Sequence, residues 1–207
     1  MKRNGFVVFS ILALMLMLGG NALAQALVYT GDNSVYFTTY YSKANSAGAP
    51  DATVRIINDG DTGALLWAAI YVFDDSEELQ ECCACIVTAD GLLSESVNQN
   101  LTADPITNRK PTRGVIKVIS SGSGDPASPA PFVGLRVWAS HVQGTKVTLS
   151  PGNPVIPSVA GPFFVTETPA ADSNLSATEE TLVGQLCLYT EMLSGQPCTC
   201  TQEDMDF

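Results

Sequence analysis

Six cysteines are the residues of this sequence whose type and spacing point most directly to chemistry. They form a central cluster and a C-terminal cluster: Cys82, Cys83 and Cys85, then Cys187, Cys198 and Cys200. An even number of cysteines is typical of the disulfide framework of an exported protein. We therefore expect three disulfides that join the two clusters and close loops of about 100 residues.

The spacing within each cluster suggests how the cysteines pair. On a strand, Cys83 and Cys85 share one face and Cys82 points to the other, because side chains alternate. Cys198 and Cys200 have the same spacing as Cys83 and Cys85. If the two segments run antiparallel, the pairs are Cys83–Cys200, Cys85–Cys198 and Cys82–Cys187. A vicinal Cys82–Cys83 bridge is one alternative. A thiolate site for zinc or an iron–sulfur cluster is another, although the Cys-x-x-Cys spacing usual for such sites is absent.

The N-terminus has the three parts of a secretory signal peptide. A basic start, Lys2-Arg3, precedes a run from Phe6 to Leu18 that is apolar except at Ser10. This run is short for a transmembrane helix, which needs about 20 apolar residues. Small residues before a break favour cleavage after Ala24, and cleavage after Ala26 fits almost as well. We expect a signal peptide at 1–24 and one secreted, β-rich domain at 25–207, with no membrane span after cleavage.

Composition narrows the classes of partner. The signal segment carries two of the ten basic residues and none of the 21 acidic ones, so cleavage changes the net charge from −11 to −13. Nucleic acids and anionic membranes are bound by basic patches, so the charge argues against both. No cofactor-binding motif is present. The expected location is extracellular, at the cell surface or periplasmic.

An acidic run offers weak candidates for calcium. Five carboxylates fall within eight residues: Asp74, Asp75, Glu77, Glu78 and Glu81. Such a run is usually a solvated loop, but the first four could hold calcium weakly outside the cell. The Asp59-x-Asp61-x-Gly63 segment resembles the start of a calcium loop, but its pattern fails at Gly63, so a turn is favoured.

His141 is the only histidine, so any Ser-His-Asp or Cys-His catalytic group has to use it. No Gly-x-Ser-x-Gly motif is present, and the cysteines are expected to be oxidised. A structural histidine is therefore favoured, and the chain is expected not to be an enzyme. A hydrolase of unrecognised type is the least favoured alternative.

Aromatic side chains on predicted strands are candidates for ligand binding. Tyr36, Tyr40 and Trp138 could stack on a sugar if they are exposed. In β-rich domains, aromatics at such positions more often belong to the core or to cross-strand pairs.

Period-two patterns and turn residues predict a mainly β fold, a single antiparallel β-sandwich-like domain. The expected strands are 34–41, 53–57, 64–73, 82–88, 115–119, 132–142, 146–149 and 163–166. Both faces of 64–73 are apolar, so this strand is expected to be central. The Asn/Asp/Gly-rich segment 58–63 predicts a hairpin between the second and third strands. Residues 92–101 fit a short helix or an extended chain.

One amphipathic helix is expected near the C-terminus, tied down by disulfides. Ser176 and Glu179 form a capping box, and Gly195 and Pro197 end the helix. Its predicted buried face is Leu182, Val183, Leu186, Cys187, Tyr189 and Leu193. Residues 120–131 (SSGSGDPASPAP) are expected to form a flexible loop inside the domain, or alternatively a linker.

The stretch from Glu81 to Leu92, together with the C-terminal cysteine cluster, resembles uncharacterised secreted bacterial proteins with the same paired clusters. The similarity covers about half of the mature chain. It implies export and a shared cysteine framework, and it implies no activity.

The pattern as a whole favours an exported, non-enzymatic structural or assembly protein of the cell surface or extracellular space. Its expected partners are further copies of itself or other surface proteins. The alternative is a secreted carbohydrate- or calcium-binding module.

Overall fold

A computed structural model describes residues 34–144, 163–194 and 198–201. The signal peptide and its cleavage site after Ala24 lie outside the described residues, as does the strand expected at 146–149. The strands of the described residues are β1 (Tyr36–Ser42), β2 (Thr53–Asn58), β3 (Leu66–Asp74), β4 (Leu79–Val87), β5 (Leu92–Ser96), β6 (Arg113–Ser121), β7 (Leu135–Gly144), β8 (Phe163–Pro169) and β9 (Ala171–Ser173). One α-helix, α1 (Ala177–Ser194), follows them.

The strands form two antiparallel sheets. The first has five strands in the order β4-β3-β6-β1-β9, and the second has four in the order β5-β2-β7-β8. Apolar residues of the two sheets face each other and form the main core, which includes Phe37, Ile70 and Val118 from the first sheet and Ile56 and Val137 from the second. The prediction of a mainly β, antiparallel, two-sheet fold with a C-terminal helix is confirmed.

β3 is the central strand that its sequence predicts. It pairs with β4 on one side and β6 on the other. Its face with Ile70 and Val72 lies in the core between the sheets. Its opposite face, with Tyr71 and Phe73, lies in a second core beneath α1, where Val183 of the helix is also buried. A strand covered on both faces is apolar throughout, which explains its sequence pattern.

The predicted hairpin between β2 and β3 is wrong. β2 pairs with β5 and β7 in the second sheet, whereas β3 lies in the first. Residues 58–63 therefore cross from one sheet to the other. Asn58 fixes this crossing, because its side-chain amide donates to the carbonyl oxygens of Ala64 at 2.9 Å and Val87 at 3.0 Å. Turn residues indicate that the chain reverses there, and they do not show which strand it then joins.

The start of α1 is as predicted, but its buried face is narrower. The Ser176 hydroxyl accepts a hydrogen bond from the Glu179 N–H at 3.1 Å, as an N-cap does. Val183 and Cys187 are buried against the sheet. Three residues expected to be buried are instead about half exposed or more: Leu182, Tyr189 and Leu193. The helix packs on one sheet face only. Side chains that project sideways from the helix or away from the sheet therefore remain in solvent.

Residues 120–131 connect the first sheet to the second. Ser120 and Ser121 belong to β6, and the loop then leads to β7 of the other sheet. The Tyr71 hydroxyl donates to the Pro126 carbonyl oxygen at 2.7 Å. A Cβ on Gly184 of α1 would lie 2.4 Å from the Ala127 carbonyl oxygen, so loop and helix are in close contact.

The ambiguous segment 92–101 contains both of the structures considered. Leu92–Ser96 is β5, and Val97–Leu101 is a single π-helical turn. The Ser96 hydroxyl caps this turn by accepting from the Gln99 N–H at 2.8 Å. Val97 and Leu101 are buried, so the turn closes over the core.

Candidate functional site

All six cysteines are in disulfides that join the two clusters, as expected. The bonds are Cys82–Cys187, Cys83–Cys198 and Cys85–Cys200. The first is the predicted pair, whereas the other two exchange the predicted partners. The reason is direction: the tail runs parallel to β4, not antiparallel, and the Cys198 N–H donates to the Cys82 carbonyl oxygen at 3.3 Å.

The disulfide-bonded tail, residues 198–201, contacts both sheets. Cys198 and Cys200 are attached to β4 at the edge of the first sheet. The next residue, Thr201, reaches β5 at the edge of the second sheet, where its N–H donates to Glu95 Oε1 at 2.8 Å. The tail therefore joins the two sheets at their β4 and β5 edges.

The sulfur atoms of Cys83, Cys85 and Cys200 lie within 4.8 Å of one another, close enough to share a metal ion. However, every cysteine is bonded to another cysteine and none is free. Disulfide sulfurs carry no thiolate charge, and thiolates are the metal ligands. The geometry therefore supports the disulfide interpretation over the thiolate metal site and over a vicinal Cys82–Cys83 bridge.

In the described part of the chain, the acidic run forms no group with metal-ligand spacing. Asp74 holds the β3–β4 turn: its Oδ1 accepts from the N–H groups of Ser76 at 2.8 Å and Glu78 at 3.0 Å. Its Oδ2 accepts from the side chain of Gln80 at 2.8 Å. Asp75 makes an ion pair with Arg113 at 2.6 Å.

The rest of the run points in different directions. Glu77 and Glu78 are exposed, whereas Glu81 is buried. Among the described residues, the groups with metal-ligand spacing all contain disulfide-bonded cysteines. Asp59 of the failed calcium pattern forms an ion pair with Arg136 at 3.1 Å.

Two buried carboxylates are the titratable groups that the sequence does not reveal. Glu81 accepts from the Asp104 N–H at 2.8 Å, and Glu95 accepts from the Thr201 N–H. The second carboxylate oxygen of each has no hydrogen-bond partner among the described residues. Burial raises the pKa of Glu81 to about 7, and burial likewise raises the pKa of Glu95 to about 7.

These two carboxylates make stability fall as the pH rises. The folded state holds their protons up to about pH 7, whereas an unfolded glutamate loses its proton near pH 4.3. The folded state therefore binds more protons between these values. The contribution of these two carboxylates to the free energy of unfolding is greatest below about pH 4.5. It decreases between about pH 4.5 and about pH 7 and is constant at higher pH.

Glu95→Gln is expected to reduce this pH dependence by about half and to stabilise the protein at pH 8 by on the order of 2 kcal/mol. Urea unfolding of both proteins at pH 5 and pH 8 measures it. The control is Glu78→Gln, which replaces an exposed carboxylate and should leave the pH dependence unchanged. If the free energy of unfolding changed equally between pH 5 and pH 8 in wild type and Glu95→Gln, the raised pKa of Glu95 would be contradicted.

His141 links three strands of the fold. It is buried, its Nδ1 lies 3.0 Å from the Tyr40 carbonyl oxygen, and its Nε2 lies 2.8 Å from the Thr168 hydroxyl. Burial lowers its pKa, so the neutral ring that donates to Tyr40 and accepts from Thr168 fits both contacts. The ring links β7 to β1 of the other sheet, and both of its nitrogens are engaged within the fold.

The three aromatic candidates do not form one platform. Tyr36 is only 6 % exposed, and its hydroxyl donates to Glu179 at 2.9 Å, so its ring cannot stack on a ligand. Tyr40 is 47 % exposed, but one ring face stacks on His141 at a centroid distance of 4.0 Å. Trp138 is half-buried on β7, between Arg55 and Pro169 of the neighbouring strands.

Comparisons with protein-family models, with curated proteins and with solved structures return no match to this chain. The resemblance to secreted bacterial proteins therefore stays a prediction. No helix among the described residues is both long and apolar enough to cross a membrane.

The edge strand β8 is the most exposed strand of the second sheet. Among the described strands it pairs with β7 only. Phe164 and Val165 are 54 % and 51 % exposed, and every later residue of the strand is exposed. Edge strands of soluble proteins are usually protected by lysine, proline or a bulge. β8 has no lysine, proline only at its last position, and a regular register with β7.

The hydrogen-bonding direction along β8 follows from the next residue. The Ala170 N–H donates to the Val137 carbonyl oxygen of β7 at 2.9 Å. Because backbone groups alternate along an antiparallel strand, those of Phe163, Val165 and Glu167 point away from β7. Pro169 also points outward but has no N–H, so the three outward residues that can donate are centred on Val165. Glu167, the only charged residue of β8, is held in an ion pair with Arg55 at 2.5 Å.

Proposed function

We propose that this chain is an exported, non-enzymatic assembly protein, and that copies of it pair through β8. The observation that carries the proposal is the exposed β8 edge, whose outward backbone groups lack the usual protection against pairing. Two copies related by a two-fold axis at Val165 would pair their β8 strands antiparallel. Each outward residue then meets an outward residue of the second copy, which gives about six N–H···O bonds.

Export is supported by the cysteine chemistry. Three disulfides with no free cysteine are typical of proteins that fold in an oxidising compartment outside the cytoplasm. The basic and apolar N-terminal pattern agrees with this location.

The absence of an activity is supported by how the reactive side chains are used. The cysteines are oxidised, and both ring nitrogens of His141 are engaged within the fold. Glu81 and Glu95 are buried beneath protein, where no substrate reaches them. An assembly protein needs none of these groups in a free state.

Pairing through β8 is tested by substitution at its centre. The wild-type protein is expected to form dimers at concentrations of tens of micromolar, measured by size-exclusion chromatography with light scattering. Val165→Pro removes the outward N–H at the two-fold axis and should give monomers, because proline cannot donate. Val165→Thr keeps the backbone donor and should dimerise as the wild type does.

A second variant separates loss of pairing from loss of folding. Val165→Lys keeps every backbone donor but places two like charges opposite each other at the axis, so it should also be monomeric. Circular dichroism and the melting temperature show whether each variant is folded. A monomeric wild type, or folded Val165→Pro and Val165→Lys proteins that still dimerise, would refute the proposal.

A further inference from the structure

A polar cleft of about 840 Å³ lies at one end of the first sheet. Three segments form its walls: the end of β1 and the following turn (42–46), the β3–β4 hairpin (74–78), and the chain that leads into β6 (107–113). The lining contains five hydroxyl side chains and no aromatic or large aliphatic residue. Such a cleft suits a ligand rich in hydroxyl and charged groups rather than an apolar one.

The cations of this acidic protein are distributed unevenly. Four line the cleft: Lys43, Arg109, Lys110 and Arg113. Every described basic residue outside it is in an ion pair, namely Arg55, Lys117 and Arg136. Within the described residues, the only three basic side chains without an ion pair are Lys43, Arg109 and Lys110, and all three are in the cleft and exposed. The cleft is therefore the one described place where this chain offers free positive charge to a ligand.

The backbone around the cleft is held in a costly conformation. Five described non-glycine residues have positive φ, and four of them lie in or beside the cleft walls: Lys43, Asn45, Glu77 and Asn108. Each such residue costs on the order of 1 kcal/mol, and strain of this kind concentrates at ligand-binding segments. The fold keeps this strain at one end of the sheet.

Hydrogen bonds fix the walls in advance of any ligand. Asn45 joins the first wall to the third, because its side-chain amide donates to the Pro111 carbonyl oxygen at 2.9 Å. Gln80, which is fully buried, joins the other two: it donates to Asp74 and accepts from the Thr107 hydroxyl, both at 2.8 Å. A preformed site binds without the cost of ordering its own loops.

We propose that the cleft binds an acidic oligosaccharide whose sugar rings carry carboxylates. The free cations would pair with its carboxylates, and the cleft carboxylates Asp74, Asp75 and Glu78 would accept hydrogen bonds from its hydroxyls. A simple polyanion has no hydroxyl groups to donate to these three carboxylates and is repelled by their charge. A neutral sugar leaves the cations without a partner. The inference is independent of β8, because the cleft residues belong to the other sheet and its loops.

Isothermal titration calorimetry of the whole protein tests this inference. Hexagalacturonate is expected to bind at least tenfold more tightly than maltohexaose or inorganic phosphate, and its affinity should decrease with added salt. Arg109→Ser with Lys110→Ser should weaken hexagalacturonate binding at least tenfold. Arg55→Ser removes an exposed cation outside the cleft and should leave binding unchanged.

The competing outcomes overturn the proposal in distinct ways. Equal affinity for hexagalacturonate and maltohexaose would show that the cations do not take part. Phosphate binding as tight as hexagalacturonate binding would show a simple anion site. A folded double variant with unchanged affinity would place the site elsewhere. None of these results depends on whether the protein is a dimer.

Discussion

A protein whose three disulfides are reduced is expected to unfold at about 37 °C. Any one bridge between the two clusters closes a loop of more than 100 residues. The chain-entropy model gives a stabilisation of about 4.7 kcal/mol for such a loop. Cys82–Cys187 and Cys85–Cys200 together enclose a further ring of about 15–20 residues, worth about 3 kcal/mol. The sum is comparable to the whole stability of a typical domain. Urea unfolding with and without a phosphine reductant measures the loss.

The bridges are expected to contribute unequally when they are removed singly. Cys83–Cys198 and Cys85–Cys200 join the same two segments two residues apart. Once one is formed, the other closes only a very small ring. Cys83→Ala with Cys198→Ala should therefore cost much less than the long-loop value, whereas Cys82→Ala with Cys187→Ala should cost about 3 kcal/mol. Equal losses for the two double variants would contradict this account.

Gly114→Ala is expected to prevent folding or to cost about 3 kcal/mol or more. Gly114 lies in β6, between Tyr41 of β1 and Asp74 of β3. A Cβ there would be 1.9 Å from the Phe73 carbonyl oxygen and 2.8 Å from the Tyr41 hydroxyl oxygen. The Tyr41 hydroxyl passes over Gly114 to donate to that same carbonyl at 3.1 Å. Relief requires a shift of a strand that is paired on both sides, and overpacking of this kind costs about 1–3 kcal/mol or more.

Gly122→Ala is the matched control for this prediction. It lies just after β6, and a Cβ there would have its nearest neighbours at ordinary contact distances of 3.8 and 3.9 Å. Its melting temperature should match that of the wild type. A Gly114→Ala protein as stable as Gly122→Ala would show that the strands around β6 rearrange easily.

The elements of this fold are largely predictable because each depends on local pattern. The two apolar faces of β3 predict a covered central strand, and the Ser176 cap predicts the start of α1. The pairing of elements is less predictable, because it depends on direction and on distant partners. Nothing local shows that the tail runs parallel to β4, so the partners of Cys83 and Cys85 were predicted in the wrong order.

The candidate site is less predictable than the fold, since its residues are far apart in sequence. Lys43 and Arg109 line one cleft although 65 residues separate them. Glu81 looks like one more residue of a solvated acidic run, and only the fold places it inside. A single feature was available in the sequence: Arg109 and Lys110 are adjacent cations in a chain that has few.

The linkage of the tail to β4 also determines how this protein responds to mechanical tension. A force applied between Ser34 and Thr201 follows the shortest covalent path, which crosses to the tail through Cys83–Cys198 and Cys85–Cys200. Residues 86–197 therefore carry no load and cannot be drawn out. The extensible length is therefore about 180 Å, instead of about 580 Å for the reduced chain. A pulling experiment on a single molecule would record this difference directly.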